Sequence, residues 1–366
     1  MTESRPIIIA AGGTGGHFFP AEALAATLIE RGERVVLLTD ARSGGLSSPV
    51  FEQTEKHVIA GAGLAGRGAR RAAKGALALA QGVLQARALL RRLKPKAIVA
   101  FGGYPSVPPV VAAAMMGKAR PFVVLHEQNA VLGRANHFLS RFADLLALNF
   151  AKTQRLPPKV KTVVVGNPVR PAIMKLYGRD YVPPTQGVEL LVVGGSLGAK
   201  IFSTLVPQAL ALLPVNLRVC LHVTQQCRAD DIAQAKATLQ EAGIRAELSP
   251  FFKDMAALLR RAHLVIARAG ASSVAEIAIA GRPAIFIPLP NAIDDHQRAN
   301  ADALAQVGGA LRLDQGGLTP SILARKIETF LMNPKTLEQM AIACASLGEP
   351  GAASRLADLV VKGNRA

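Results

Sequence analysis

The chain has no tryptophan, only three tyrosines, and 4% aromatic residues across its 366 positions. So few rings exclude a surface of exposed stacking platforms of the kind that binds single-stranded nucleic acid. Its three cysteines, Cys220, Cys227 and Cys344, offer neither a disulfide framework nor the paired spacing of a zinc site. No uninterrupted apolar stretch approaches the ~18–20 residues that a membrane-spanning helix needs. Residues Met1 to Pro6 lead straight into an apolar strand, with no basic region and apolar core before it, so no cleavable signal is expected. A cytosolic location follows as the expectation. Acidic residues are missing from one long block: none lies between Lys56 and His126, a stretch that holds twelve Lys or Arg.

That block dominates the charge. The formal net charge is +18, of which residues 1–165 carry +13 and the remainder +5. Such asymmetry points to a polyanionic partner: nucleic acid, anionic lipid or phosphates. A GC-rich genome that inflates Arg and Ala is the bland explanation. It fits the global charge better than it fits the acid-free block.

Half of the residues are apolar and 33 are glycine. Two glycine-rich turns stand out, each after a short apolar strand. Ile7–Ala11 precedes Gly12-Gly13-Thr14-Gly15-Gly16-His17, and Leu190–Val193 precedes Gly194-Gly195-Ser196-Leu197-Gly198-Ala199. A helix beginning at such a turn presents unsatisfied backbone N–H groups and a partial positive charge, which attract anions. The first turn is neither a dinucleotide fingerprint, since Phe18 occupies the position of the last glycine, nor a P-loop, since no Gly-Lys-Ser/Thr follows. His17 at the helix start is an odd choice for a core residue and a candidate proton acceptor.

Strands and helices alternate throughout. Strands are expected near 7–11, 34–39, 97–101, 122–125, 145–149 and 163–165, then near 189–193, 217–223, 246–248, 264–267, 284–287 and 310–312. Helices are expected between them, including 17–31, one or two over 69–93, 133–141, 270–281, 319–332 and 334–363. This pattern predicts an α/β fold with parallel sheets covered on both faces. The Pro- and Gly-rich stretch 166–189 marks a domain junction. His126-Glu127-Gln128-Asn129 follows a strand at the carboxyl edge where open α/β sheets bind ligands.

In order along the chain, the motifs GGTGGHFFPA (12–21), FGGYPS (101–106), HEQN (126–129), VGNPVR (165–170), GGSLGA (194–199), RAGASSVAE (268–276) and DHQRANA (295–301) resemble those of the MurG family. The resemblance spans nearly the whole chain. It implies a GT-B fold, two Rossmann-like domains with parallel sheets facing a central cleft. The expected domains are 1–166, for acceptor and membrane, and 167–346, for the donor, with a helix at about 347–366 packing back on the first. The implied reaction is inverting transfer of GlcNAc from UDP-GlcNAc to the C4 hydroxyl of MurNAc in lipid I, forming lipid II for peptidoglycan.

The resemblance also implies roles. His17 is the candidate base, with Thr14, Glu127 and Tyr104 around it on the acceptor side. Phe252, with Met255 nearby, meets uracil through its backbone, and Glu276 binds the ribose. Ser196, Arg170 and the Gly194–Gly198 turn hold phosphates. The turn Gly13, Thr14, Gly15, Gly16 belongs to the donor set. His296, Gln297, Asn129 and the Ala271 amide read GlcNAc hydroxyls. The family commonly has serine at Ala269 and threonine at Ser273, and some members have glutamine at His296. No D-x-D motif stands near these segments, so no cofactor or metal is expected.

A lipid acceptor gives the basic block a purpose. Within a helix over 77–94, Leu79, Val83, Ala86, Leu90 and Leu93 share a core face. Leu77, Leu84 and Ala88 form a second stripe, flanked by Arg87, Arg91 and Lys94 and preceded by Arg70, Arg71 and Lys74. An apolar strip rimmed with cations suits the anionic cytoplasmic surface of the inner membrane, bound peripherally. The expected partners are UDP-GlcNAc, lipid I, that membrane surface and other cell-wall synthesis proteins, with no nucleic acid. The competing readings are another lipid glycosyltransferase or a UDP-sugar epimerase on the same fold. A nucleic-acid-binding protein is disfavoured because only Phe101, Tyr104 and Phe122 interrupt the basic block as aromatics.

Overall fold

The structure is a computed structural model that describes residues 5–41, 48–60, 69–195, 198–290 and 292–363. The chain divides into two compact units. Unit one comprises Met1–Arg170 with Gly351–Ala366, and unit two Pro171–Pro350.

Among the described residues, unit one holds a seven-stranded parallel sheet. Its strands are β1 (Ile7–Ala10), β2 (Val35–Thr39), β3 (Glu55–Val58), β4 (Ala97–Ala100), β5 (Phe122–Glu127), β6 (Leu145–Leu148) and β7 (Thr162–Val164). Their spatial order is β3-β2-β1-β4-β5-β6-β7. The central register pairs Ile7 with both Val35 and Ala97. Because side chains alternate along a strand, β1 feeds two separate cores. Ile7 and Ile9 pack with Phe18, Leu24 and Leu28 of the helix Gly15–Glu30 and with Leu356 and Val360 of the helix Ala352–Lys362. Ile8 and Ala10 pack with Ala86 and Leu90 of the helix Ala69–Leu93 and with Val110 of the helix Val107–Ala114. Each fully buried Leu or Ile here contributes about 1.5–3 kcal/mol of transfer free energy. Layers on both faces explain why β1 reads as a continuous apolar run and not as an alternation.

Unit two has a six-stranded parallel sheet: β8 (Val188–Val193), β9 (Leu221–Gln226), β10 (Arg245–Ser249), β11 (Leu264–Ala267), β12 (Ala284–Phe286) and β13 (Ala310–Arg312), in the order β10-β9-β8-β11-β12-β13. Its core runs from Leu190 and Val192 to Phe202, Val206 and Leu210 of the helix Lys200–Ala211, and to Leu323 and Ile327 of the helix Pro320–Leu331.

The structure differs from the sequence-based expectations at four places. Strand β3 was not expected; it is an edge strand with three of its four residues exposed, so it lacks an apolar signature. Strand β5 runs on to Glu127, which makes His126 and Glu127 strand residues and not loop residues. In the region expected as strand 217–223, Val215–Arg218 form a helical turn and β9 begins only at Leu221. Residues 69–93, expected as one helix or two, form one, within that expectation. The expected helix 334–363 is two, Pro334–Ala345 and Ala352–Lys362, interrupted where Gly348, Pro350 and Gly351 disfavour continuation.

Candidate active site

In both sheets the chain reverses its direction of progress at one point, between β1 and β4 in unit one and between β8 and β11 in unit two. Open α/β sheets bind ligands at the carboxyl ends of strands flanking such a switch. The motif-bearing segments 12–17, 102–106, 194–199 and 268–271 all leave these four strands.

After β1, Gly13 adopts φ +81°, and Thr14, extended at φ −142°, precedes the helix Gly15–Glu30 without making a side-chain cap bond. His17 is therefore the third residue of that helix, and it is half-buried. Its ring lies against the turn after β4. A Cβ placed on Gly102 would stand 3.5 Å from His17 Cε1, and one on Gly103 would stand 3.4 Å from Cδ2. Both glycines have positive φ, +89° and +67°, where side chains are disfavoured. The pair makes the turn and gives the imidazole a flat backbone seat. The Ser106 hydroxyl donates to the Gly102 carbonyl at 2.8 Å and fixes the turn. Half-buried Tyr104 begins the short 3-10 turn Tyr104–Ser106 directly after Gly103.

Behind His17 runs a chain of hydrogen bonds. His17 Nδ1 is 3.0 Å from Gln128 Oε1, Gln128 Nε2 is 3.0 Å from His126 Nδ1, and His126 Nε2 is 2.9 Å from the Gly166 carbonyl oxygen. His126 and Gln128 are buried. Burial pushes the His126 imidazole down to about 4, outweighing the hydrogen bond to Gly166 that favours its charged form; nearby His17 lowers it further.

Glu127, expected near the acceptor as part of the catalytic group, is held by four donors. Oε1 accepts from the Asn129 backbone N–H and from Asn129 Nδ2, both at 3.0 Å. Oε2 accepts from the Gly133 N–H and from Asn136 Nδ2, both at 2.9 Å. Four donors fill the roughly four lone-pair sites of a carboxylate, and the residue is 2% exposed. Glu127 thus clamps the loop after β5 through both carboxylate oxygens. Asn129, expected at the donor sugar, is one of the groups it clamps.

Arg170 sits with its guanidinium carbon 4.3 Å above the centroid of the Phe19 ring. Near it lies buried Glu22, pushed up by burial, with the Ser48 hydrogen bond and the Arg170 charge opposing. Gly15 and Gly16 belong to the first turn of the helix beneath.

In unit two, Gly194 is required by space: a Cβ there would stand 2.3 Å from the Ala199 nitrogen. Its N–H donates to Gln226 Oε1 at 3.1 Å. Ser196, expected at the phosphates, lies outside the described residues. So do residues 42–47 and 61–68 and the side chains of Arg70 and Arg71. After β11, Gly270 precedes the helix Ala271–Ala280 without a side-chain cap, so Ala271 begins it with backbone donors. Glu276 is buried in that helix. Phe252 and Met255 are both half-buried, and Asp254 between them caps the helix Met255–Arg261 by accepting from the Ala257 N–H at 2.9 Å. His296 begins the helix His296–Gln306 after Asp294 and Asp295, both left-handed at φ +58° and +54°. Gln297 Oε1 accepts from the Leu289 N–H at 2.9 Å, so its carboxamide oxygen holds the preceding loop.

Two residues here were given no role by sequence reasoning. Arg268 is buried and donates to the carbonyls of Ile287 and Pro288, both at 2.8 Å, and to Gln315 Oε1 at 2.7 Å. Burial pulls it down to about 10. Asn300 donates to the Ala269 carbonyl at 3.1 Å. An arginine at the end of an apolar strand was the available signal for the first; the second had none.

On the helix Ala69–Leu93, Leu77 and Leu84 are each 62% exposed, while Ala86 and Leu90 are fully buried. Arg91 is exposed and Arg87 half-buried. Leu84 and Met115 border an apolar hollow lined also by Ala76, Leu79, Ala80 and Val83. Among the described residues, no helix is long and apolar enough to cross a membrane.

Comparison with known proteins agrees with this layout. Residues 7–147 match the glycosyltransferase family 28 N-terminal domain and residues 189–356 the family 28 C-terminal domain. A Granulibacter bethesdensis protein called UDP-N-acetylglucosamine--N-acetylmuramyl-(pentapeptide) pyrophosphoryl-undecaprenol N-acetylglucosamine transferase is 57% identical, over 97% of this chain and 93% of its own. The crystal structure of Acinetobacter baumannii MurG superposes with a TM-score of 0.77 at 32% identity, covering 98% of this chain and 100% of that one. A putative UDP-N-acetylglucosamine 2-epimerase from Listeria monocytogenes, at 14% identity and a TM-score of 0.70 over 99% of this chain and 98% of its own, shares the fold alone. The chain belongs to glycosyltransferase family 28, with a GT-B fold, and within it to the MurG family whose motifs it carries in order.

Proposed function

We propose that this protein transfers GlcNAc from UDP-GlcNAc to the C4 hydroxyl of MurNAc in lipid I, with inversion, to give lipid II. Full-length similarity to enzymes of that name supports the reaction. The observation that carries the chemistry is the seating of His17: one ring nitrogen is held by Gln128, and the ring is braced on Gly102 and Gly103.

His17 takes the proton of the C4 hydroxyl as that oxygen attacks the anomeric carbon. The bond from that carbon to the UDP oxygen breaks, and UDP carries away the electron pair. General-base help of this kind contributes about 10²–10⁴-fold. The charge developing on UDP meets the backbone donors at 194–199, the start of the helix at Ala271, and Arg170. A preorganised donor of this type is worth about 10²–10³-fold. Phe252 and Met255 are assigned to uracil, Glu276 to the ribose, and His296, Gln297 and Asn129 to the GlcNAc hydroxyls, with Gln297 offering its amide nitrogen. Thr14 and Tyr104 flank the acceptor sugar. The exposed Leu77 and Leu84, with Arg87 and Arg91, hold the enzyme to the cytoplasmic leaflet, at about 1 kcal/mol per basic residue near an anionic surface. The epimerase reading has only the shared fold behind it.

The test is transfer of labelled GlcNAc to a short-chain lipid I analogue by wild type and His17→Ala. Robust transfer that collapses in the variant, with UDP binding retained, is the expected result. Wild-type transfer with a near-normal variant would remove His17 as base. UDP-GlcNAc binding without any transfer would remove the reaction.

A further inference from the structure

We propose that Gln128 and His126 are positioning residues that lock His17 in the tautomer with hydrogen on Nδ1, so that Nε2 carries the free lone pair. The proposal rests on the reading of His17 as base and supplies its missing element, the protonation state of each nitrogen.

Two groups at this network can only accept: the carbonyl oxygens of Gly166 and His126. Gly166 O is 2.9 Å from His126 Nε2, so that nitrogen bears hydrogen. His126 is buried and held neutral, so its Nδ1 is bare and accepts. Gln128 Nε2 lies 3.0 Å from this Nδ1 and 3.0 Å from the His126 carbonyl oxygen. An amide nitrogen has two hydrogens, and both are used. Turning the carboxamide over would set its oxygen against the His126 carbonyl oxygen, with no proton between them. The orientation is thus fixed twice, by independent acceptors. Gln128 Oε1 then faces His17 Nδ1 at 3.0 Å. An amide oxygen has no proton to give, so His17 Nδ1 must donate. A neutral imidazole has one N–H, and Nε2 is left as the proton acceptor.

The chain ends on neutral carbonyls and contains no carboxylate. In a Ser-His-Asp triad an anion performs the orienting task and also stabilises the imidazolium. Here a buried amide orients the ring, and the gain on protonation is limited to a stronger Nδ1–H bond to Oε1. Each side-chain polar atom of Gln128 and His126 has a partner, which makes the network stiff. Glu127, between His126 and Gln128 in sequence, fixes the loop that carries the amide.

The test reads the tautomers directly. Two-bond proton–nitrogen correlation spectra of the full-length protein with 15N-histidine are recorded well above the ordinary histidine titration range, with rings assigned by His17→Ala and His126→Asn. The expected patterns are Nδ1–H for His17 and Nε2–H for His126. An Nε2–H pattern for His17 overturns the proposal whatever the kinetics show. The second arm is Gln128→Met, which keeps the length and removes both polar atoms. The expected result is a redistributed His17 tautomer and kcat lower by about tenfold or more, with KM for UDP-GlcNAc nearly unchanged. An unchanged tautomer and kcat in that variant overturn it too. If the variant does not fold, the wild-type spectrum still decides. Full activity in His17→Ala would instead remove the base reading, and the two failures are distinguishable.

Discussion

Asn136 donates its side-chain amide to Glu127 Oε2 at 2.9 Å and to the His126 carbonyl at 3.1 Å, bridging the last two residues of β5. Through this bridge and three further donors, a buried carboxylate organises residues 129–136. Glu127→Gln replaces one acceptor oxygen by an NH₂ that faces existing donors. The expected cost is about 1–3 kcal/mol of stability, read as a lower urea midpoint, together with a reduced kcat. A large loss of kcat with unchanged stability would instead mean that Glu127 touches the reacting atoms.

His126 should make stability depend on acid. Its imidazole titrates near the ordinary 6.5 when unfolded and at about 4 when folded. Between these values the unfolded state binds more protons, so stability rises with pH there. The contribution is complete above 6.5 and is lost as pH falls toward 4, by about 2 kcal/mol at pH 5. His126→Asn should be less stable at neutral pH and show a shallower loss on acidification. An equal fall in unfolding free energy between pH 7 and pH 5 for wild type and variant, measured by urea titration, would refute this.

Gly194→Ala sets a methyl against backbone 2.3 Å away. Gly194 and Ala199 must move apart, which displaces the start of the helix Lys200–Ala211. UDP binding by calorimetry should weaken at least about tenfold, a loss near 1.4 kcal/mol. Gly32→Ala, at a positive-φ glycine far from this turn in sequence and with nothing near its Cβ, controls for a destabilising glycine substitution elsewhere in the fold. Equal UDP affinity in the two variants would remove the turn from the donor site.

Leu77→Asp with Leu84→Asp should abolish sedimentation with anionic vesicles and leave transfer to a short-chain, water-soluble acceptor unchanged. Both side chains are largely exposed, so the fold should tolerate the change. Retained vesicle binding would move the membrane contact elsewhere.

The sheets were legible because buried parallel strands leave long apolar runs bounded by glycine, as at Ile7–Ala10 and Leu190–Val193. The glycine-rich motifs lie at the carboxyl ends of β1 and β8 for the same reason. Strand β3 was not legible, since an exposed edge strand has no apolar stripe to reveal it. The Gln128–His126 chain was not legible either. Nothing in the hydropathy of His-Glu-Gln-Asn indicates which polar residue is buried, and the Glu127 clamp depends on donors that arrive from Gly133 and Asn136. The break near Gly348 was written in Gly-Glu-Pro-Gly, but helical periodicity on both sides masked it.

The helix Ala352–Lys362 belongs to the unit that begins the chain, although all of unit two is synthesised before it. Leu356, Ala357 and Val360 complete a core whose other members include Phe18, Leu24 and Leu28. On the ribosome, unit two can therefore finish folding while unit one still shows an open apolar groove along its first helix. The Arg355 side chain, which donates to the Val165 carbonyl at 2.8 and 3.1 Å, is then the latch of a segment that closes last. A product lacking that segment would leave Phe18, Leu24 and Leu28 without those partners and present the groove to chaperones and proteases.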